Sequence, residues 1–168
     1  MNMFGEISYI GWFHTIVGTA AIIVGLYLLI KDRFIFLDKN SAKFYIVATV
    51  ITSASSLFIY SATGSFNLAH VLSVMTIIAA LFAVFLHRFN VFGFLNVFIK
   101  QLSLTATVFF SMLPTTAEVL QRFPPSNPFA DSIEDPLVQS FYFWYVIIFG
   151  LFGIYQITRM YREEINGI

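Results

Sequence analysis

The sequence predicts an all-α integral membrane protein, a helical bundle of five transmembrane helices with the N-terminus outside and the C-terminus in the cytoplasm. Its composition indicates a membrane protein, because 58% of the 168 residues are hydrophobic and only 11% are charged. Soluble domains carry about 25% charged residues, so this chain has less than half the usual share. The apolar residues also gather into stretches of ~20 residues, the length that crosses a bilayer.

Five stretches are long and apolar enough to serve as membrane spans. The chain starts without the basic residues that open a signal peptide, so we expect the first span to be retained. The only long connection, residues 114–140, contains four prolines that prevent a continuous helix. We expect it to cap the outer end of the bundle. The predicted spans are residues 9–30, 44–62, 68–87, 95–113 and 141–158, within a single domain, 1–168.

Basic residues give the expected orientation, because Lys and Arg concentrate in the cytoplasmic connections of membrane proteins. The first connection is rich in them, Arg88 lies in the third, and Arg159 and Arg162 follow the fifth span. The second connection, residues 63–67, is uncharged, and the fourth is acidic. The charges alternate with each crossing, which predicts five spans in a bacterial inner membrane with the N-terminus outside.

Small and hydroxyl-bearing residues indicate which helix faces point into the bundle. Gly18 and Gly25 lie in line with His14 on the first span, and small residues let membrane helices approach closely. We therefore expect His14 on the packed face of its helix. Hydroxyl stripes that can bond across helix interfaces mark two further spans: Thr49, Thr52, Ser53, Ser56 and Tyr60 on the second, and Ser103, Thr107 and Ser111 on the fourth.

Two of the three histidines lie at the same predicted depth. His14 is 17 residues before Lys31, and His70 is 18 residues before Arg88. At about 1.5 Å per helical residue, each lies ~26 Å from a basic inner boundary. An ionisable side chain inside a bilayer is costly and is a functional candidate by default. The third histidine, His87, has no histidine at its depth and is interpreted as an interfacial residue.

A carboxylate joins the two histidines if the fourth helix continues past Pro114, because Glu118 then lies at the same outer end. His14, His70 and Glu118 would suit a divalent metal such as zinc, which takes nitrogen and oxygen ligands. Two facing imidazoles could instead hold the iron of haem b as cofactor. A quinone or proton site with a titrating histidine is the third alternative. The chain has no cysteine, which excludes thiolate ligands and nucleophiles.

Three motifs follow one another within residues 10–125. The first runs from His14 to Gly25, the second is Tyr-x-x-Thr-Gly-x-Phe-Asn with its histidine at His70, and the third is Glu-x-x-x-Arg-x-Pro from Glu118 to Pro124. Together they resemble a bacterial family of membrane proteins, domain of unknown function 2306. The resemblance implies a helical membrane fold and points to the same two histidines and glutamate. It implies no activity.

Two positions depart from the pattern of that family. Its members carry a histidine in the first inner connection, where this chain has only Lys31-Asp-Arg33, and a phenylalanine where this chain has Ala69. Any role of the inner histidine in the family is therefore absent from this chain.

The sequence supports a ligand site in a small membrane protein and leaves open whether the protein is an enzyme. The alternative is an accessory or scaffold subunit, because 21 phenylalanines offer apolar surface to membrane lipid or to other membrane subunits. A transporter ranks third, because the centre of the predicted bundle lacks carboxylates. The net charge is zero, so no nucleic-acid partner is expected.

Overall fold

The computed structural model describes residues 8–59 and 64–166, and within these ranges it contains five α-helices and no strand. The predicted all-helical fold is confirmed. Tyr60 of the predicted hydroxyl stripe and Thr63 of the second motif lie outside the described ranges. The helices are α1 (Tyr9–Asp32), α2 (Asn40–Ser56), α3 (Leu68–Arg88), α4 (Leu95–Arg122) and α5 (Pro136–Asn166).

Four of the five helices are long and apolar enough to cross a membrane: α1, α3, α4 and the Pro136–Glu163 part of α5. This agrees with the composition and indicates a membrane protein. The helix that falls short is α2, which has 17 residues and so measures about 25 Å. Its polar content is high because it carries the predicted hydroxyl stripe.

Local capping explains where three of the helices begin. The side-chain oxygens of Ser8, Asn67 and Asp135 each accept a hydrogen bond of 2.8–3.1 Å from a backbone N–H in the first turn of α1, α3 and α5. Such caps satisfy N–H groups that have no partner inside the helix. In α5 the cap is followed by Pro136, whose fixed φ suits the first helical position.

The predicted boundaries of the later spans need correction. The predicted span ended at 113, but α4 continues through Pro114 to Arg122, and α5 begins at Pro136 instead of 141. The connection between α4 and α5 is therefore 123–135, shorter than the predicted loop 114–140. Proline removes a single helical hydrogen bond, and the packing of Ala117 beyond it keeps α4 helical.

The second helix also departs from the predicted span 44–62. Helix α2 covers Asn40–Ser56 and residues 57–59 are not helical, while residues 60–62 of the predicted span lie outside the described ranges. The last two residues of α2 explain the early end. The Ser55 and Ser56 hydroxyls donate to the carbonyls of Thr52 and Ser53, and serine side chains that bond to nearby carbonyls compete with the helical backbone.

Helices α1 to α4 form a closed four-helix bundle, in which each helix packs against the next and α4 contacts α1. Helix α5 packs on α4, beside the bundle. Glycines bring α1 close to α2. A Cβ atom would lie 2.9 Å from the Thr52 methyl group at Gly18 and 2.6 Å from the Tyr45 ring at Gly25. The small-residue stripe of α1 therefore faces α2, as predicted.

Two buried glutamines close the inner end of the bundle, the end away from the start of α1. The Gln101 side chain bonds both the backbone N–H and the carbonyl of Ile35, at 3.2 and 3.3 Å. Gln156 of α5 donates to the Arg33 carbonyl at 2.6 Å and accepts from the Thr105 hydroxyl at 2.8 Å. The connection between α1 and α2 is thereby folded against a solid apolar core.

Candidate functional site

A cavity of about 1090 Å³ occupies the half of the bundle that contains the start of α1. All four helices of the bundle line it, together with the connection 123–135. The lining runs from Ser8 to Ile22 along α1, a depth of ~21 Å. Tyr45 lies at its inner limit, is 1% exposed, and bonds the Thr107 hydroxyl at 2.6 Å. The packed core beyond Tyr45 makes the cavity a blind pocket.

The cavity wall is apolar with many hydroxyl groups and few charges. Among the described residues, the only Asp, Glu, Lys or Arg side chains in the lining are Glu118 and Arg122. Both belong to the last turns of α4, at the mouth of the cavity. Hydroxyl groups line the deeper wall, including those of Thr49, Thr52, Ser53, Ser56, Thr76 and Ser111.

His14 lies in this wall, on the face of α1 that packs against α2. Its Nδ1 is 3.0 Å from the carbonyl oxygen of Thr52 and 3.2 Å from the Ser55 hydroxyl. A carbonyl only accepts hydrogen bonds, so Nδ1 carries the proton and donates it. In the neutral imidazole, Nε2 then carries the lone pair. An Nδ1–H held by a backbone carbonyl is the arrangement that orients a histidine toward a ligand.

His70 also lines the cavity, but its ring has a second task at the start of α3. Its Nδ1 is 2.9 Å from the side-chain oxygen of Asn67 and 3.2 Å from the Asn67 backbone N–H. The residue is 2% exposed and its ring stacks on Phe66 at 5.0 Å. The two residues form a capping box. Sequence reasoning missed this role, although an asparagine three residues before the histidine was its signal.

Glu118 pairs with Arg122 one helical turn later on α4, and both side chains are more than half exposed. The structure therefore does not assemble the predicted metal site of His14, His70 and Glu118. No group of three or more His, Cys, Asp or Glu side chains in the described ranges could hold a metal ion. The physical reason is that Arg122 engages the carboxylate while the helix cap engages His70.

The third histidine belongs to the opposite end of the bundle. His87 lies in the last turn of α3, and its Nε2 is 3.4 Å from a carboxylate oxygen of Asp38 in the first inner connection. It does not line the cavity. This position agrees with its interpretation as an interfacial residue, and it makes His87 a natural control for experiments on the other two.

Two hydroxyls of the α2 wall differ from their neighbours. The Oγ1 atoms of Thr49 and Thr52 are buried and have no hydrogen-bond partner among the described residues. Thr49 lies one turn after Tyr45 on α2 and beside its hydroxyl. By contrast, Thr76 and Ser111 donate to the carbonyl four residues earlier in their own helix, at 2.7 and 2.8 Å. The sequence predicted the hydroxyl stripe of α2, but it did not predict which of its hydroxyls have hydrogen-bond partners.

Comparison with known proteins adds no relative. The chain matches no protein-family model, no curated protein and no solved structure. The resemblance of its three motifs to domain of unknown function 2306 therefore stays a prediction. The function is argued from the cavity alone.

Proposed function

We propose that this chain is a five-span protein of a bacterial inner membrane that binds one small ligand in the cavity among α1 to α4. The observation that carries the proposal is that His14 and His70, on two helices that are not neighbours in the bundle, line the same cavity. The Nδ1 atom of His14 donates to the Thr52 carbonyl at 3.0 Å, and a contact of this kind orients an imidazole toward a bound group. The Nδ1 atom of His70 belongs to the cap of α3.

The orientation follows from charge. Seven of the nine Lys and Arg residues lie at the inner end, in or beside the connection 33–39, at the end of α3 and near the end of α5, while the acidic connection 123–135 lies at the cavity mouth. They are Lys31, Arg33, Lys39, Lys43, Arg88, Arg159 and Arg162. Basic segments stay in the cytoplasm, so the cavity opens to the outside. In this arrangement α2 is the short span, at the lower limit of ~17 residues, with its hydroxyls covered by α1 and α3.

The blind end of the cavity supports binding over conduction. A transport path would need to continue past Tyr45, where the apolar core is closed and both glutamine contacts hold the inner connection. A pocket with a mostly apolar wall and a few oriented polar groups is the usual form of a small-molecule site. Haem b and a quinone both remain candidates for the bound molecule. A metal ion held only by protein side chains would lack a third coordinating residue.

The proposal is tested by identifying the small molecule that remains bound when the protein is purified. The chain would be purified from haem-replete cells into nanodiscs made with native lipid extract. An optical spectrum, oxidised and dithionite-reduced, and mass spectrometry of extracted small molecules would then be recorded. We expect one ligand per chain in the wild type and in His87→Ala, and its loss in His14→Ala. A Soret band that sharpens on reduction would identify haem. Folded protein that holds no ligand contradicts the proposal.

A second candidate function is that of an accessory subunit, and the outer face of α5 favours it. Phe143, Trp144 and Leu151 are 60%, 57% and 63% exposed, so this face contacts either lipid or another membrane protein. Extraction in a mild detergent followed by mass measurement distinguishes the two. A monodisperse monomer without partners counts against the subunit role and leaves the ligand proposal intact.

A further inference from the structure

The connection between α3 and α4, residues 89–94, is an apolar turn at the inner end of the bundle, called the inner turn below. Only Asn90 among its side chains is polar, and four large apolar residues are each at least 46% exposed. They are Phe89, Val91, Phe92 and Phe94. The residue that the fold buries here is instead the polar Asn96, which is 9% exposed. Apolar side chains outside and a polar one inside indicate that the surroundings of the inner turn are less polar than water.

Hydrogen bonds fix the shape of the inner turn. The side-chain amide of Asn96 donates to the Leu86 carbonyl at 2.7 Å and so ties the start of α4 to the end of α3. The backbone N–H of Leu95 donates to the Phe92 carbonyl at 3.1 Å. Gly93 has a φ of 53°, a conformation that glycine adopts without strain. The exposed apolar side chains therefore project from a preformed turn.

Aromatic rings connect the inner turn to the exposed surface of α3. The Phe92 ring lies 6.4 Å from the ring of Phe82. Phe82 precedes the end of α3 by six residues, or about 9 Å, so the turn folds back along that helix. The Phe89 ring lies 5.0 Å from that of Phe85. Because Phe85 is 46% exposed on a helix long and apolar enough to cross a membrane, the inner turn continues a surface that faces lipid.

Two arginines flank the inner turn. Arg88 is the last residue of α3, and Arg162 of α5 follows Tyr161, whose ring lies 6.4 Å from that of Phe94. Both arginines are exposed, and neither forms a hydrogen bond or an ion pair with a residue that the structure describes. Basic residues beside a bilayer attract its anionic lipids. The apolar turn and the two arginines together match an amphiphile with an anionic head.

We propose that the inner turn inserts into the headgroup layer of the bilayer and binds an anionic phospholipid of the phosphatidylglycerol type. The lipid phosphate pairs with Arg88 and Arg162, because guanidinium groups match the geometry of phosphate. Its acyl chains lie against the rings of Phe82 and Phe85. A zwitterionic lipid binds less well, because its own ammonium group neutralises the phosphate. The bilayer is favoured over a soluble protein as the partner, because the rings of the turn continue into the span.

Tryptophan fluorescence identifies the lipid that contacts the inner turn. The chain has two tryptophans, Trp12 and Trp144, and both would be replaced by phenylalanine so that Phe92→Trp leaves a single probe. This protein would be reconstituted in phosphatidylcholine vesicles with a minor fraction of phosphatidylglycerol, with bromine on one lipid at a time, because bromine quenches tryptophan on contact. We expect brominated phosphatidylglycerol to quench the probe at least about fivefold more than its share of the bilayer predicts.

Single substitutions then localise the lipid. Arg88→Gln and Arg162→Gln remove one charge each, and each should lower the preference for phosphatidylglycerol about fivefold, the effect of one basic residue at an anionic bilayer. Lys31→Gln is the matched control, because it removes a charge from the same end of the bundle. The Lys31 ammonium group already bonds the Tyr27 hydroxyl, so the control should leave the preference unchanged. Circular dichroism would verify that each variant is folded.

Three results would overturn the proposal. A probe that neither brominated lipid quenches lies outside the bilayer, in water or under a protein partner. Quenching without preference, or a preference that survives the double variant Arg88→Gln/Arg162→Gln, means that the turn contacts lipid without a headgroup site. An equal loss in Lys31→Gln means that the preference reflects total charge. If Phe92→Trp does not fold, Val91→Trp serves for the same measurement, because Val91 is 57% exposed. The cavity and its ligand are outside this site, so the proposed function stands or fails separately.

Discussion

At the scale of single residues, the two cavity histidines have different roles because their neighbours in the sequence differ. His70 follows Asn67 by three residues and is drawn into the cap of α3, while His14 lies in the first turns of a helix that Ser8 caps without it. Counting residues from the basic boundaries predicted that both histidines lie toward the same end of the bundle, and both line the same cavity. The direction of each ring could not, because His14 depends on a carbonyl 38 residues away.

Removing the cap of α3 should destabilise the protein measurably. The substitution Asn67→Ala deletes the oxygen that accepts from the first turn and that contacts His70. We expect the free energy of unfolding to fall by about 1 kcal/mol, the usual cost of losing an asparagine cap. Unfolding in mixed micelles, followed by circular dichroism, measures it. Asn127→Ala, in the exposed outer connection, is the matched control, and equal effects of both substitutions would contradict the assigned role.

At the scale of helices, the sequence predicts the starts of elements better than their ends. The apolar stretches begin at the first helical residue of α1, α3 and α4, and in α1 and α3 a capping side chain immediately precedes that residue. The continuation of α4 past Pro114 was not predictable from hydropathy. Its last two turns carry Glu118 and Arg122, and only the packing of Ala117 against Ala130 and Val138 accounts for them.

The contact between α1 and α2 should fail if Gly25 gains a side chain. A Cβ atom there would lie 2.6 Å from the Tyr45 ring, which is fully buried and bonded to Thr107. Gly25→Ala should therefore lower the free energy of unfolding by about 1–3 kcal/mol, the range for adding a group to a filled core. Gly150→Ala is the control, because a Cβ atom at Gly150 meets nothing within 4 Å. Similar unfolding midpoints for the two variants would refute the close packing.

The attachment of α5 to the bundle should depend on Gln156. Its amide joins the Arg33 carbonyl to the Thr105 hydroxyl, and it is 0% exposed. Gln156→Leu keeps the bulk of the side chain and leaves both partners unsatisfied, so we expect a loss of about 1–3 kcal/mol. Gln139→Leu, at an exposed position, should lower the free energy of unfolding much less. The same micelle unfolding assay compares the two variants. Equal losses would show that the buried hydrogen bonds of Gln156 add no stability.

At the scale of the whole molecule, one half of the bundle is solid and the other half is hollow. The apolar core, Gln101 and Gln156 fill the inner half, and the hydroxyl-lined cavity occupies the outer half. Four of the polar residues that lower the hydropathy of α2, namely Thr49, Thr52, Ser53 and Ser56, line this cavity. The same residues that make the second span hard to recognise by hydropathy thus build the candidate site.

The five-span topology can be tested with single cysteines, because the natural chain has none. Asn127→Cys, Ser65→Cys and Asn90→Cys lie at exposed positions of three connections. A membrane-impermeant maleimide added to spheroplasts should label positions 127 and 65 and should reach position 90 only after permeabilisation. Labelling of 127 without 65 would mean that α3 or α4 does not cross the membrane. Asp38→Cys, exposed in the connection before α2, tests α2 itself: labelling of position 38 together with position 65 would mean that α2 does not cross. Labelling of position 90 alone would mean that the orientation is inverted and that the cavity opens to the cytoplasm. The predicted side of the cavity rests on the basic residues at the far end of the bundle, which are expected in the cytoplasm.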